Sequence, residues 1–185
     1  MKASSRKIED LTPEMQEKAR AVLAFCEERR VDILITSTLR NCADQARLFR
    51  QSRTLNEIDG KVAALESAGY FFLARILQTV GPVFGQLGKH VTWAGPGESW
   101  HQWGMAFDAY PIVHGKPDLE GHHFDQWEVY GEAVEIAGLS WAGRWVRNRE
   151  LPHAQDSPLP NPLKRGNLYL PPMEPQAALL DIGAL

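Results

Sequence analysis

The chain is 185 residues long, 44% hydrophobic and 23% charged, with a formal net charge of −3. That length suits one domain with a real core, since chains of this size bury roughly two thirds of the surface they expose when unfolded. The net charge gives no hint of nucleic-acid binding, which normally shows as a basic patch, and no window approaches the roughly 20 apolar residues of a membrane span.

Thr12-Pro13-Glu14 predicts a helix start, with a capping hydroxyl, proline at the first helical position and an acid in the first turn. Met15, Ala19, Val22, Leu23 and Cys26 recur at helical spacing and define one buried face up to about Arg30. The β-branched run Val31 to Ser37 predicts a strand, and a second helix opens at Asn41 with Ala43, Ala46, Leu48 and Phe49. Val62 to Val80 reads as one further helix, ended or kinked by Gly81-Pro82. Strands are expected at Val91–Trp93 and Ala106–Ile112, then a helix from Phe124 to Ala137 stopped by Gly138. Ser140-Trp141 and His153-Ala-Gln155 are expected as short strands. Beyond Gln155, Pro158, Pro160, Pro162, Pro171, Pro172 and Pro175 break any regular element. The closing Ala177 to Leu185 is expected to pack on the domain, with a partner contact as the alternative. Mixed strands and helices without regular alternation point to an α+β domain, a small antiparallel sheet with helices packed on it.

Two cysteines, Cys26 and Cys42, are expected as reduced, partly buried thiols rather than a disulfide. Met1-Lys-Ala-Ser-Ser-Arg-Lys7 is polar and offers no apolar stretch for a signal peptide. The expectation is therefore synthesis in the cytoplasm; a monomer is expected as well.

The most informative stretch is Ser99-Trp-His-Gln-Trp-Gly-Met-Ala-Phe-Asp108, which sets two metal-ligand side chains, His101 and Asp108, on either side of a glycine hinge. His153, in Glu150-Leu-Pro-His153, is a third candidate. Two imidazoles and one carboxylate suit Zn2+ and leave a fourth position for water, as in a hydrolytic site rather than a closed structural one. Glu150, three residues before His153, is placed to exchange a proton as general base and then general acid, against the plainer reading of a solvated loop acid. Arg40, just after the first strand, offers a guanidinium for a substrate carboxylate or an oxyanion; a surface ion pair with Asp44 is the alternative. Ser99 either hydrogen-bonds near the metal or substrate or serves as a cap. Trp100 and Trp103 are candidates for cleft walls or for core. His122-His123 reads as surface at a helix start, and His90 and His114 have no partner motif.

The motif Ser99, His101, Gly104, Ala106, Asp108, followed by Glu150 and His153, resembles the S-x-H-x-x-G-x-A-x-D and E/D-x-x-H signatures of the zinc D,D-peptidases. That family includes D-alanyl-D-alanine carboxypeptidases, dipeptidases and phage-type L-alanyl-D-glutamate peptidases. Val91 to Gly97 and Gly138 to Trp145 are similar to runs of the phage-type branch, and the segment with Arg40 and Gln45 is similar to its Gly-Tyr-Arg-Ser-x-x-x-Gln. Ala142 stands where that branch usually has glycine, and Ala154 where an aromatic residue commonly follows the histidine. The resemblance implies the compact hedgehog/DD-peptidase fold and Zn2+ held by His101, Asp108 and His153. It implies Glu150 and Arg40 as catalytic residues, with Arg40, Gln45 and Ser99 toward substrate. Residues 1–155 would form the peptidase domain, with a helical insertion at about 55–88, and 156–185 a proline-rich tail. The implied function is cleavage of peptidoglycan stem peptides, foremost between L-alanine and D-glutamate, reached after release from the cell by a separate agent. The alternatives are a D-alanyl-D-alanine carboxypeptidase or dipeptidase, and a non-catalytic, hedgehog-like zinc-binding domain.

Overall fold

A computed structural model describes residues 4–81, 90–156 and 162–164. The chain divides into two compact units, one built on Ser4–Leu39 and Trp103–Pro160, the other on Arg40–Gln102.

In the first unit, helix α1 (Pro13–Glu28) starts where its capping signals predict, with Thr12 Oγ1 accepting from the Met15 N–H at 3.2 Å. Its buried face is Met15, Ala19, Val22 and Cys26. The sheet comprises β1 (Ile33–Ser37), β2 (Ala106–Val113), β3 (Lys116–Pro117), β4 (Ser140–Trp141) and β5 (His153–Gln155). Strand order is β1-β2-β5-β4, with β3 paired to the far end of β2, and every pairing is antiparallel. The helix expected over 124–137 is α5 (Phe124–Ile136), and Gly138 follows it at φ +76°. The core joins the α1 face to Trp127, Tyr130, Ala133 and Val134 of α5 and to Phe107, Ala109, Trp141 and Ala154 of the sheet. Trp127, Tyr130 and Trp141 meet edge to face, at centroid distances of 5.9 and 6.3 Å. Gly131 lets Trp141 lie against α5, because a Cβ there would sit 2.1 Å from the indole. The α+β class and the small antiparallel sheet are as expected.

Two details differ from expectation. The first strand begins at Ile33, because Val31 still closes the helix: its N–H donates to Cys26 O at 2.9 Å while Arg30 takes φ +61°. The hairpin to β3 was not foreseen. His114 and Gly115, at φ +50° and +75°, form its two-residue turn.

The second unit is helical. Helix α2 (Cys42–Arg50) is capped by Asn41, whose side chain accepts from the Asp44 N–H at 2.8 Å. The single helix expected over 62–80 is two helices, α3 (Leu55–Ser67) and α4 (Phe71–Thr79). The chain breaks at Gly69, which adopts φ +83°. A reciprocal capping box of Thr54 and Glu57 sets the earlier start of α3. Ile58, Val62 and Leu65 of α3, Leu73, Ile76 and Leu77 of α4, and Ala46 and Phe49 of α2 form its core.

The strand expected at Val91–Trp93 is absent. Val91 and Trp93 are exposed, and Thr92 O accepts from the Arg53 side chain at 2.7 Å rather than from a strand. Pro82 to Gly88 of the expected insertion and most of the expected tail, including its apolar close, lie outside the described residues.

Candidate metal centre

The β2–β5 register pairs Phe107 with Ala154 and Asp108 with His153. Side chains alternate across a strand, so Phe107 and Ala154 enter the core while Asp108 and His153 share the opposite face. His153 Nδ1 lies 3.1 Å from Asp108 Oδ1, and its Nε2 lies 3.0 Å from Gln155 Oε1. Trp145 meets the His153 ring edge-on at 5.8 Å. On the other side of β2, the register with β1 shifts between Ile35 and Ser37. Thr36 at that bulge donates its hydroxyl to Asp108 O at 3.2 Å.

His153 is buried, and desolvation pushes its pKa down. The Asp108 hydrogen bond and charge, together with Glu150 and Gln155, outweigh this and raise it above the ordinary histidine value. A neutral imidazole whose proton sits on Nε2 would turn a bare Nδ1 lone pair toward a carboxylate oxygen. Two acceptors at 3.1 Å repel unless a cation lies between them. The donor set therefore fits a metal ion, with a proton as its competitor.

His101 lies on a one-turn helix, Trp100–Trp103, and is buried. Its carbonyl accepts from the Arg40 N–H at 3.1 Å. His101, Asp108 and His153 are three residues whose side chains could hold a metal ion, His101 on one unit and the other two on the other. These are the three candidates drawn from the sequence.

Glu150 is exposed, and its peptide is held at both ends. Its N–H donates to Ala142 O and its carbonyl accepts from the His153 N–H, each at 3.3 Å. Burial first, then the charge of Asp108, raises the Tyr110 pKa, and the Glu150 charge adds to that rise and to the one at His153. Glu150 is thus a solvent-facing carboxylate whose charge is felt at a candidate ligand.

Arg40 is half-buried, and its Nη1 donates to Gln45 Oε1 at 3.0 Å. Gln45 is wholly buried; its Nε2 donates to Ala94 O at 2.7 Å and Thr92 Oγ1 at 3.3 Å. Asp44, the alternative partner for Arg40, forms an ion pair with Arg47 at 2.8 Å. Ser99 is buried at the start of the one-turn helix, its carbonyl accepting from the Gln102 N–H. Trp100 and Trp103 are 1% and 4% exposed, so they are core rather than cleft walls.

His122 and His123 sit at the start of α5, where both backbone N–H groups donate to Asp118. His90 contacts Ser52 O and the Trp93 ring. Cys26 and Cys42 are both free and buried, and burial pushes each thiol up to about 11.

Three groups at or near the ligands escaped the sequence reading. Gln102 accepts from the Gly97 N–H at 2.8 Å and donates to Cys42 Sγ at 2.9 Å, tying the His101 turn into its unit. Glu98 accepts from Lys61 Nζ at 2.6 Å and the Gly95 N–H at 2.8 Å, tying the same loop to α3. Gln155 holds His153. Only the last had a usable signal, since a residue two positions along a strand shares the ligand's face.

The model of the family VanY, described as D-alanyl-D-alanine carboxypeptidase, matches residues 8–138. That span contains Arg40, Gln45, Ser99, His101 and Asp108. The chain is 27% identical over 156 residues to the peptidoglycan L-alanyl-D-glutamate endopeptidase CwlK of Bacillus subtilis strain 168, covering 80% of this chain and 75% of the relative. Among solved structures it is similar to the L-Ala D-Glu endopeptidase ChiX of Serratia marcescens, with 17% identity and a TM-score of 0.41 over 80% of this chain and 81% of that one.

Proposed function

The chain belongs to the VanY family, described as D-alanyl-D-alanine carboxypeptidase, and from that premise we propose that it is a zinc peptidase of peptidoglycan stem peptides, cutting between L-alanine and D-glutamate. The observation that carries the metal reading is the cross-strand pair Asp108–His153, to which His101 would add the third donor. Two imidazoles and a carboxylate favour zinc among the common divalent ions. The ion would supply Lewis acidity for activating water and polarising the scissile carbonyl.

The remaining roles fall to side chains of the chain. Glu150 takes a proton from the attacking water and returns it to the leaving amine. Arg40, fixed by Gln45, binds a substrate carboxylate or the developing oxyanion with its planar fork. The presence of these two groups beyond the three ligands favours an enzyme over a non-catalytic zinc domain.

The choice of bond is supported by the relative CwlK, whose name specifies the L-alanyl-D-glutamate bond, and by the tryptophan-rich run before Glu150. The second reading, release of terminal D-alanine, is favoured by the family description. Mass analysis of products from purified peptidoglycan separates them. New L-alanine C-termini support the endopeptidase, whereas free D-alanine supports the carboxypeptidase.

A further inference from the structure

His153 meets a different partner at each ring nitrogen. Nδ1 faces Asp108 Oδ1 at 3.1 Å, and Nε2 faces Gln155 Oε1 at 3.0 Å. Gln155 is 1% exposed and lies two residues along β5, so its side chain leaves the strand on the same face as the imidazole. Its backbone is fixed by pairing with Ala106 on one side and Ser140 on the other. An amide oxygen only accepts, so the proton in this contact belongs to the imidazole.

We propose that Gln155 is the positioning residue of the metal centre: by accepting from His153 Nε2–H it fixes the ring's tautomer and leaves Nδ1 as the nitrogen that binds metal. Without that acceptor the proton can move to Nδ1, where Asp108 offers a stronger, anionic acceptor. In that tautomer the hydrogen bond between His153 and Asp108 closes the position the ion would take. Gln155 thus shifts the balance from an internally satisfied pair toward an open ligand pair. Gln155 also limits rotation of the imidazole, with Trp145 against the ring edge at 5.8 Å. Outer partners of this kind typically contribute 10–100-fold to metal affinity.

The inference rests on the metal reading above, and the test separates the two. Zinc affinity is measured by chelator competition for the full chain and for Gln155→Leu and Gln155→Glu, beside melting of each metal-free protein. The expected result is zinc binding by the unsubstituted protein, about 10–100-fold weaker binding in Gln155→Leu, and recovery in Gln155→Glu, which restores an acceptor. Absence of zinc binding in the unsubstituted protein would overturn the metal reading itself. Equal affinity in the unsubstituted protein and Gln155→Leu, or equal loss in both variants, would overturn the role of Gln155 alone. The ring 15N spectrum of the zinc-loaded, unsubstituted protein decides the matter even if Gln155→Leu fails to fold. Zinc on His153 Nδ1 with the proton on Nε2 is expected, and zinc on Nε2 overturns the proposal.

Discussion

Asp108 and His153 face each other directly across two antiparallel strands, and that register alone brings a carboxylate oxygen within 3.1 Å of an imidazole nitrogen although 45 residues separate them. A one-residue slip of β5 would put Ala154 opposite Asp108 and send the histidine into the core. The account therefore predicts that ligand geometry is a property of the sheet. Asp108→Asn keeps shape and register but removes the charge, so the protein should keep its fold and lose stoichiometric zinc. His101→Ala should lose it as well. Metal content after gel filtration checks both, and full retention of zinc in either variant would remove that residue from the ligand set.

Proton competition should govern loading. Burial lowers the His153 pKa, but Asp108, Glu150 and Gln155 together raise it above the ordinary value. Because zinc needs the neutral ring, protons compete from above about pH 6.5 downward, and affinity should fall as pH drops through that range. Chelator competition between about pH 8 and pH 5.5 reads this directly. A flat profile would contradict it.

Arg40 is predicted to act through its fork. Arg40→Lys retains charge but loses the paired donors, one of which is engaged by Gln45. Loss of an oxyanion donor typically costs about 10²–10³-fold in rate, so kcat/KM should fall on that scale with metal content unchanged. Normal turnover would return Arg40 to a structural role.

The parts of the molecule legible in sequence are those where local chemistry and tertiary demand agree. Thr12-Pro13 caps α1, Gly138 ends α5, and His153-Ala-Gln155 forms the expected strand, buried along its whole length. Asp108 and His153 could be singled out as candidate ligands because few side-chain types offer a metal-binding nitrogen or carboxylate, and the β2–β5 register pairs them. Where periodicity was trusted alone, it misled. Leu65, Leu73, Ile76 and Leu77 keep a roughly helical spacing across Gly69, so two helices sharing one core read as one. The Thr54–Glu57 box that marks the true start was present and unread. Val91-Thr-Trp93 has strand-forming residues, yet side chains of Arg53 and Gln45 satisfy Thr92. No local rule could pair Gln102 with Cys42 or Lys61 with Glu98, because those contacts exist only once the helices are assembled.

The glycine-rich lead-in to His101 should be intolerant of side chains. Gly97 adopts φ +84°, and a Cβ there would lie 2.4 Å from Leu73 Cδ1. Gly97→Ala is expected to cost more than about 1 kcal/mol, lowering Tm by at least about 2–4 °C for a protein of this size. An unchanged Tm would show that the loop can relax.

Asp118 should confer stability that acid removes. Burial pushes its pKa up, but hydrogen bonds from the backbones of His123 and His122 and from the Trp127 indole outweigh this and hold it below the usual range. A depressed carboxylate stabilises above the unfolded value of about 3.9 and loses that contribution as pH falls through its folded value. Asp118→Ala should lower stability by about 1–3 kcal/mol near neutrality. The gap from the unsubstituted protein should narrow below about pH 4 in urea unfolding. A constant gap would show that packing, not charge, is what Asp118 supplies.

The central claim is that this chain hydrolyses stem peptides with Glu150 moving the proton, and the most direct measurement compares zinc-loaded unsubstituted protein with zinc-loaded Glu150→Gln on one purified stem peptide. Glutamine keeps the shape of the exposed side chain and leaves His101, Asp108 and His153 untouched, so metal content and Tm should match. The account predicts cleavage by the unsubstituted protein and a rate about 10²–10⁴-fold lower in the variant. A Glu150→Gln protein that cleaves at close to the normal rate, or a fully zinc-loaded unsubstituted protein that cleaves no wall peptide, would contradict it.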